Sequence, residues 1–399
     1  MFAAEADAVV HGTKRFESAF EPSEYERRLA AVRADLQANS IAGAIYVGPE
    51  ALFYLAGYDA HTHFSEQALF VPTRDGDSPV LIIRDLDQIL ANWTSWLTDV
   101  RTYHYGADDP AALIGAVAKE KGIGSMRLGV EMRSSALTVD YWQRISRALR
   151  DAEQIVDSSA IMARLRTIKS EAELVYTRQA ARFSNVGVSA ALSMIRAGIT
   201  EFELAAAIEN EVRGAGSEYP AMPTWICSGP RTLSGHATPA ERILSDGEAV
   251  YFSFAGVSHR YHVTNYHTVH LGEPNGPFSQ AYDIAQESMA ALVDAVGIGR
   301  PIRGAAKAAH EVLARHGLPG TFKARFGYGV GIAYPPTWLE PLDIIEESER
   351  EFAAGMVFCL HVGVASPADG FGIMVGGDYL LSNSGLEPLD EAGTGLRVL

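Results

Sequence analysis

The chain of 399 residues has few cysteines, fewer cations than acids, and no long apolar run. Its two cysteines, Cys227 and Cys359, lie in apolar surroundings. This usage excludes a disulfide framework and a cysteine-based zinc motif and favours buried structural thiols. The 33 Lys and Arg against 49 Asp and Glu give a net charge of −16. That charge disfavours nucleic acid and acidic membranes as partners, because phosphate binding needs clustered cations.

The missing apolar run also argues against a membrane-spanning helix, which needs about 18 or more apolar residues with few charges. The N-terminus, MFAAEADAVVHGTKRF, carries charges at Glu5 and Asp7, where a signal peptide needs an apolar segment. We therefore predict a cytoplasmic protein. Its acidic character is compatible with a zwitterionic or cationic small-molecule substrate.

Acidic residues are also absent from residues 250–272, VYFSFAGVSHRYHVTNYHTVHLG, although this segment is typical of two strands of an active-site sheet. Apolar and polar residues alternate in it, and four of the polar residues are histidines. In an extended strand, His262 and Tyr266 share one face, whereas His267 lies on the other. A pocket built on this strand would act through imidazole, phenol and hydroxyl groups rather than through carboxylates.

The length of the chain and the order of its predicted elements indicate two domains, residues 1–162 and 163–399. Helix starts of the capping-box type are predicted at Ser23, Ser170 and Thr200, each followed three residues later by Glu. In the first domain, short apolar segments alternate with helices, which predicts an α/β layout. In the second, helices accompany mostly antiparallel strands, which predicts an α+β layout. Predicted strands of the first domain cover residues 42–48, 68–72, 79–84 and 127–132, and further helices of the chain cover 110–121, 138–149, 278–296 and 303–315.

Five motifs occur in an order and spacing that resembles the pita-bread family, which contains creatinases, Xaa-Pro aminopeptidases, prolidases and ectoine hydrolases. They are GPEALFYLAGYDAHTHFSEQALFVP, LRTIKSEAELVYTRQAA, SGHATPAERILSDGEAVYFSF, GYGVGIAYPP and GMVFCLHVG. The resemblance implies a creatinase-like α/β N-terminal domain followed by an α+β pita-bread catalytic domain. It also implies a homodimer in which the N-terminal domain of one subunit closes the pocket of the other. The longer segment GYGVGIAYPPTWLE is most similar to the ectoine-hydrolase branch.

The metallopeptidases of this family hold two metal ions with two Asp, one His and two Glu, because hard divalent ions need carboxylate oxygens. The resemblance places these five positions on Ser253, Thr264, Tyr328, His361 and either Gly376 or Gly377. None of them retains its ligand, and the nearby carboxylate in the sequence is Asp378. We therefore predict no metal ion and no other cofactor.

The metal-free creatinase and ectoine-hydrolase branch is the better comparison. His236, within SGHATP, matches the acid–base histidine of creatinase, and an imidazole can take and return a proton near neutral pH. The two glutamates with which creatinase holds a guanidinium match Tyr266 and Gly376, so that clamp is absent. Ectoine hydrolases carry an acidic residue at Ser253 and typically an Arg at His267. Because these residues differ, the resemblance assigns neither creatine nor ectoine as the substrate.

The resulting hypothesis is a metal-independent enzyme that hydrolyses a C–N bond in a small nitrogenous metabolite. His236 would shuttle the proton, and three further groups would polarise or orient the substrate: Tyr328, His361 and Tyr266. Ser253 would bind the substrate, or act as a nucleophile if a base lies within hydrogen-bond reach. The predicted substrate contacts are Trp225, His262, Thr264, Tyr334, Trp338 and, from a loop that would reach the partner's pocket, His61, His63 and Phe64. The alternatives are a lyase or isomerase of specialised biosynthesis, an Xaa-Pro metallopeptidase and a non-catalytic binding protein.

Overall fold

The computed structural model describes residues 18–60, 65–318 and 325–399. The chain divides into two compact units, Met1–Arg166 and Thr167–Leu399. The boundary predicted between residues 162 and 163 falls inside the helix Ser159–Thr167, which leads from the first unit to the second. Within the described ranges, no helix has the length and apolar character needed to cross a bilayer.

The first unit is built on one sheet with helices packed against it. Its helices are α1 (Pro22–Ala38), α2 (Pro49–Ala56), α3 (Gln88–Thr94), α4 (Pro110–Glu120), α5 (Val139–Ala148) and α6 (Ser159–Thr167); its strands are β1 (Gly43–Tyr46), β2 (Ala68–Pro72), β3 (Val80–Arg84), β4 (Val100–Tyr103), β5 (Arg127–Val130) and β6 (Gln154–Asp157). Among the described residues of this unit, the strand order is β4-β3-β2-β1-β5-β6. Strand β1 runs parallel to β5 and antiparallel to β2, and helices α4 and α5 cover the buried apolar residues of the strands. The predicted α/β class is confirmed.

The second unit is an antiparallel sheet with four helices packed on it. The helices are α7 (Glu171–Met194), α8 (Glu201–Gly214), α9 (Gly276–Asp294) and α10 (Ile302–Arg315). The strands are β7 (Trp225–Ser228), β8 (Ala249–Ser253), β9 (Ala255–Ser258), β10 (Tyr261–His270), β11 (Gly327–Tyr334), β12 (Thr337–Asp343), β13 (Met356–Ser366), β14 (Phe371–Ser382) and β15 (Gly385–Pro388). The main strand path through the described residues is β12-β11-β13-β14-β10-β8-β7. Apolar clusters join α9 and α10 to β13 and β14, and α7 and α8 to β8 and β10. The predicted α+β class is confirmed.

Two of the three predicted capping boxes are present. The hydroxyls of Ser170 and Thr200 accept hydrogen bonds from the backbone amides of Glu173 and Glu203. The carboxylates of these two glutamates accept hydrogen bonds from the backbone amides of Ser170 and Thr200 in return. The prediction at Ser23 is wrong, because α1 begins at Pro22 with Glu21 as its cap residue, so Ser23 lies inside the helix. Proline suits the first position of a helix, since it has no amide to leave unsatisfied. The two boxes that form start the helices α7 and α8 of the second unit.

A buried ion pair lies behind the glycine-rich strand β11. The Nζ atom of Lys169 is 2.5 Å from Oε2 of Glu340, and both side chains are almost completely buried. A Cβ atom at Gly331 would lie 2.6 Å from the Glu340 carboxylate, so a larger residue there would displace the pair. The glycine therefore serves the close packing of an ion pair against the strand.

Candidate active site

The site is built on one face of adjacent strands, where the predicted residues Tyr266, Tyr328 and His361 meet. Tyr266 on β10 and His361 on β13 both lie opposite Gly376 on β14, and their rings are 5.4 Å apart. A Cβ atom at Gly376 would lie 2.3 Å from the carbonyl oxygen of Leu360. The backbone therefore has no room for a side chain at Gly376, one of the two positions on which the resemblance places a metal-binding Glu; at Gly377, the other position, the nearest atom to a Cβ would be 3.3 Å away.

A hydrogen-bonded series of aromatic groups lines this face. The hydroxyls of Tyr266 and Tyr328 are bonded to each other, and Nε1 of Trp338 donates to the Tyr328 hydroxyl over 3.0 Å. Burial raises the pKa of both tyrosines well above the ordinary value, so both phenols stay neutral. Because Trp338 already donates to Tyr328, the Tyr328 hydroxyl can donate a hydrogen bond to the Tyr266 oxygen, which leaves the Tyr266 O–H to donate to a substrate.

A buried carboxyl group, Asp378 of β14, lies beside these phenols. The amide of Thr264 donates to it over 2.6 Å and the Thr264 hydroxyl over 2.7 Å. Burial raises the pKa of Asp378 to about 7, although the bonds from Thr264 and from the Cys359 thiol act in the opposite direction. The predicted substrate contact by Thr264 is not supported, because its hydroxyl is bonded to this carboxyl. Thr264 instead holds Asp378 in place.

The variant Asp378→Asn should become more stable relative to wild type as the pH rises. Since burial raises this pKa above the ordinary 3.8, Asp378 stabilises the fold fully only at low pH, and this contribution is lost as the pH rises through 7. Between about pH 5 and pH 7 the difference in unfolding free energy should move by about 2 kcal/mol in favour of Asn. Urea unfolding at both pH values measures it, with the exposed Asp369→Asn as the baseline. A difference that does not vary with pH would contradict the assignment.

His361 is a buried neutral imidazole. Its burial, followed by the nearby charges of Arg325 and His236, lowers its pKa to about 3. It can therefore orient a substrate but cannot act as a cationic acid at neutral pH. The guanidinium of Arg325 lies 5.5 Å from the centre of the Tyr328 ring and pairs with Asp343 over 3.2 Å. Arg325 could not be predicted as a site residue from the sequence, because no pattern around it marks one.

His236 lies at the exposed edge of this face. It follows the 3-10 helix Gly229–Leu233, and its ring centre is 4.7 Å from that of Trp225. Trp225 in turn lies 5.4 Å from Trp338. The structure thus brings the predicted acid–base residue next to the aromatic series, with its ring exposed enough to exchange protons with water.

Ser253 is buried on β8 opposite Trp225. By distance and angle its hydroxyl makes no hydrogen bond within the described part of the chain, but it lies close enough to the Tyr251 hydroxyl to act against the burial that raises the pKa of Tyr251. No described base therefore activates Ser253, and the nucleophile interpretation lacks support. The hydroxyl is left as a possible donor or acceptor for a ligand.

Two other predicted substrate contacts are buried. The ring nitrogens of His262 are both bonded to the main chain, Nδ1 to the Arg260 carbonyl and Nε2 to the Ala221 amide. Burial and then the Arg260 charge lower the His262 pKa to about 3. The ring of Tyr334 is fully buried and packs 5.0 Å from the Arg260 guanidinium. Main-chain groups occupy both ring nitrogens of His262, which argues against a substrate contact there; the contact of Tyr334 stays a prediction.

One further histidine of β10 lies on the other face of the strand, and three predicted substrate contacts lie outside the described ranges. His267 points away from Tyr266, and its Nε2 lies 2.6 Å from Oδ2 of Asp390. The predicted contacts His61, His63 and Phe64 lie outside the described residues. Their proposed place in a partner's pocket stays a prediction.

The residues present do not fit a two-metal centre. Among the described residues, no group of three or more His, Cys, Asp or Glu side chains is arranged to hold a metal ion. The five positions that the resemblance assigns to ligands offer hydroxyl, phenol and imidazole groups and a glycine, whereas hard divalent ions prefer carboxylate oxygens. Metal-bound hydroxide therefore has no support from this donor set.

Comparison with known proteins gives two family matches and several full-length relatives. Residues 176–383 match metallopeptidase family M24, and residues 28–168 match the creatinase/prolidase N-terminal domain. The chain is 26% identical over 390 residues to an ectoine hydrolase of Halomonas elongata, covering 93% of this chain and 96% of that protein. It is 27% identical over 382 residues to an uncharacterized hydrolase/peptidase, y4tM, of Sinorhizobium fredii, covering 93% of this chain and 96% of that protein. A crystal structure of dipeptidase PepE from Mycobacterium ulcerans superposes with a TM-score of 0.83 at 25% identity, covering 95% of this chain and 99% of that one.

Proposed function

We propose a function for this chain from the premise that it belongs to metallopeptidase family M24, with a creatinase/prolidase N-terminal domain. Relatives over most of its length bear the names of hydrolases and peptidases, and the chain is a hydrolase of this family. Within it, we propose a metal-independent enzyme that hydrolyses a C–N bond of a small nitrogenous metabolite. The observation that carries this proposal is the donor set, in which two hydroxyls, one phenol, one imidazole and a glycine stand where the resemblance expects metal ligands.

The proposed chemistry uses one proton shuttle and one hydrogen-bond donor. His236 takes a proton from the attacking water and returns it to the leaving nitrogen. The Tyr266 phenol, supported by Tyr328 and Trp338, donates to the substrate oxygen that gains negative charge. His361, held neutral by burial, orients the substrate. All of these groups belong to the second unit, Thr167–Leu399.

The charges near the site favour a neutral or anionic substrate over a cationic one. Arg325 places a cation beside Tyr328 and close enough to His361 to lower its pKa. The nearest buried acid, Asp378, is bonded to Thr264 and has a pKa of about 7, so it is a weak counter-ion at neutral pH. Asp343 pairs with Arg325 and compensates part of its charge, so a guanidinium or ammonium ligand would meet this cation and, in Asp378, only a partly ionised buried acid.

One observation also favours a second candidate, a lyase. Hydrolysis needs a group that activates water, and the buried carboxyl group beside the phenols is already bonded by the amide and the hydroxyl of Thr264. Proton removal by His236 with a neutral phenol as donor is sufficient for elimination. Reaction in ¹⁸O-labelled water distinguishes the two candidates, since hydrolysis incorporates one oxygen atom from solvent and elimination incorporates none.

A thermal-shift screen tests the proposal. The compounds are ectoine, creatine, proline dipeptides, cyclic amidines, N-acyl diamino acids and the ions Mn²⁺ and Zn²⁺. A ligand at 100 times its Kd adds about 2.7 kcal/mol to the unfolding free energy and raises Tm by a few degrees. We expect a shift with one organic compound and none with either ion, and turnover of that compound that survives treatment with EDTA. A shift with metal ions alone, or activity lost to EDTA, would support the metallopeptidase alternative instead.

A further inference from the structure

The segment that carries His236, residues 229–240, lies at the edge of the sheet and needs support from other elements. We call it the His236 segment. It begins directly after β7 with a 3-10 helix and continues without a strand or further helix. His236 is an exposed residue, and its ring contacts Trp225 at the edge of the sheet. Hydrogen bonds to the segment's backbone and to its other side chains add further support.

One buried carboxylate, Glu201, supplies much of this support. Glu201 is the first residue of helix α8 and its side chain is fully buried. Its Oε1 accepts the Ser228 amide over 2.8 Å and the Ser228 hydroxyl over 2.7 Å, at the start of the segment. Its Oε2 accepts the Ala240 amide over 3.0 Å, at the end of the segment. The same carboxylate pairs with Arg231, inside the segment, at 3.2 Å.

Two further contacts transmit this support towards the histidine. Nη2 of Arg231 donates to the Thr238 carbonyl over 2.5 Å. The Cys227 sulfur lies 3.2 Å from the Ser234 carbonyl oxygen and 3.5 Å from that of Ala237. Bonds from helix α8 and strand β7 thus fix the backbone on both sides of His236.

We propose that Glu201 is a positioning residue for the proposed reaction, because it ties both ends of the His236 segment to helix α8. The proposal rests on the proposed function, in which His236 moves the proton. A proton shuttle works only within hydrogen-bond reach of the reacting group, and a displacement of about 1 Å can cost 10²-fold in rate. We assign Glu201 no substrate contact, since its side chain is fully buried and both carboxylate oxygens accept bonds from protein groups.

The variant Glu201→Gln tests the proposal because it removes one acceptor oxygen. The NH₂ group of Gln cannot accept a bond, so one end of the segment is released, and Arg231, which lies near both carboxylate oxygens, loses the charge that it pairs with. We expect kcat to fall by at least tenfold, with KM within twofold of wild type, on the substrate found by thermal shift. Amide hydrogen exchange, read by mass spectrometry, should become faster in residues 229–240 and stay unchanged in β13 and β14.

Matched variants separate positioning from loss of stability. Glu203→Gln, two residues further along α8, changes an exposed acid of the capping box and should leave kcat and exchange unchanged. Arg231→Gln, which alters a partly exposed side chain, should reproduce the kcat loss in weaker form even if Glu201→Gln fails to fold. Unchanged kcat in folded Glu201→Gln or Arg231→Gln, with His236→Gln inactive, would overturn the positioning role while leaving the proposed function intact. If His236→Gln is active, the proposed function fails and the positioning role fails with it.

Discussion

Replacement of His236 by Gln should lower kcat by about 10²–10⁴-fold, the usual contribution of a positioned acid–base group. The amide of Gln keeps much of the volume and polarity of the imidazole but does not titrate near neutral pH, so the substitution removes proton transfer and little else. KM should change only a few-fold, because the aromatic series of Tyr266, Tyr328 and Trp338 remains bonded. Steady-state kinetics on the substrate found by thermal shift measures both constants.

Two controls define the role of the imidazole. His104→Gln alters an exposed histidine of the first unit that pairs with Asp85, and it should leave kcat unchanged. Imidazole added to His236→Ala should restore part of the activity, since the removed ring leaves space at the exposed edge beside Trp225. If His236→Gln keeps wild-type kcat, the proton is moved by another group and the proposed mechanism is wrong.

The fold was predictable from local patterns and motif order. Capping boxes mark the starts of α7 and α8 because both groups of each box lie within four consecutive residues. The alternation of β10 correctly separates Tyr266 from His267, which contact Tyr328 and Asp390 on opposite faces. These features depend on near neighbours in the chain, so a single sequence contains the information for them.

Several site properties depend on distant residues and could not be predicted from the sequence. Asp378 is held by Thr264, which is 114 residues away in the chain, and its raised pKa results from burial rather than from any motif. His262 fits an inward-facing pattern, yet the Ala221 amide, 41 residues away, occupies its Nε2 atom. The support of His236 by Glu201 spans two elements whose sequence patterns give no sign of contact. Side-chain partners of this kind are set by tertiary packing.

The backbone around Gly376 bears on the predicted loss of metal ligands. Gly376 leaves no space for a Cβ atom beside Leu360, so if the acid implied by the resemblance belongs at this position rather than at Gly377, substitution by Glu alone cannot rebuild it. Tyr266 and His361 flank this glycine and bring their rings together across it. Close strand packing at Gly376 therefore leaves the space above it to two hydrogen-bonding rings.

The buried pair of Lys169 and Glu340 gives the largest expected effect on stability. Glu340→Met should lower the free energy of unfolding by about 3–5 kcal/mol, because it leaves the Lys169 ammonium buried without its carboxylate. The double variant Lys169→Met/Glu340→Met should lie within about 1–2 kcal/mol of wild type, since an apolar pair of similar volume needs no desolvation of charge. Urea unfolding followed by circular dichroism measures all three proteins.

The geometry explains why this pair, rather than one at the surface, should carry such an effect. The two charges are 2.5 Å apart and at most 3% exposed, so neither water nor salt screens their interaction. Lys307 and Glu311 form a pair of the same residue types on α10, 3.8 Å apart and more than 60% exposed, and Glu311→Met should cost about 0.5 kcal/mol or less. Equal costs for Glu340→Met and Glu311→Met would show that burial adds nothing to the Lys169 pair. A large cost for the single Glu340 variant that the double variant cancels would show that the fold requires the two charges to be kept or removed together.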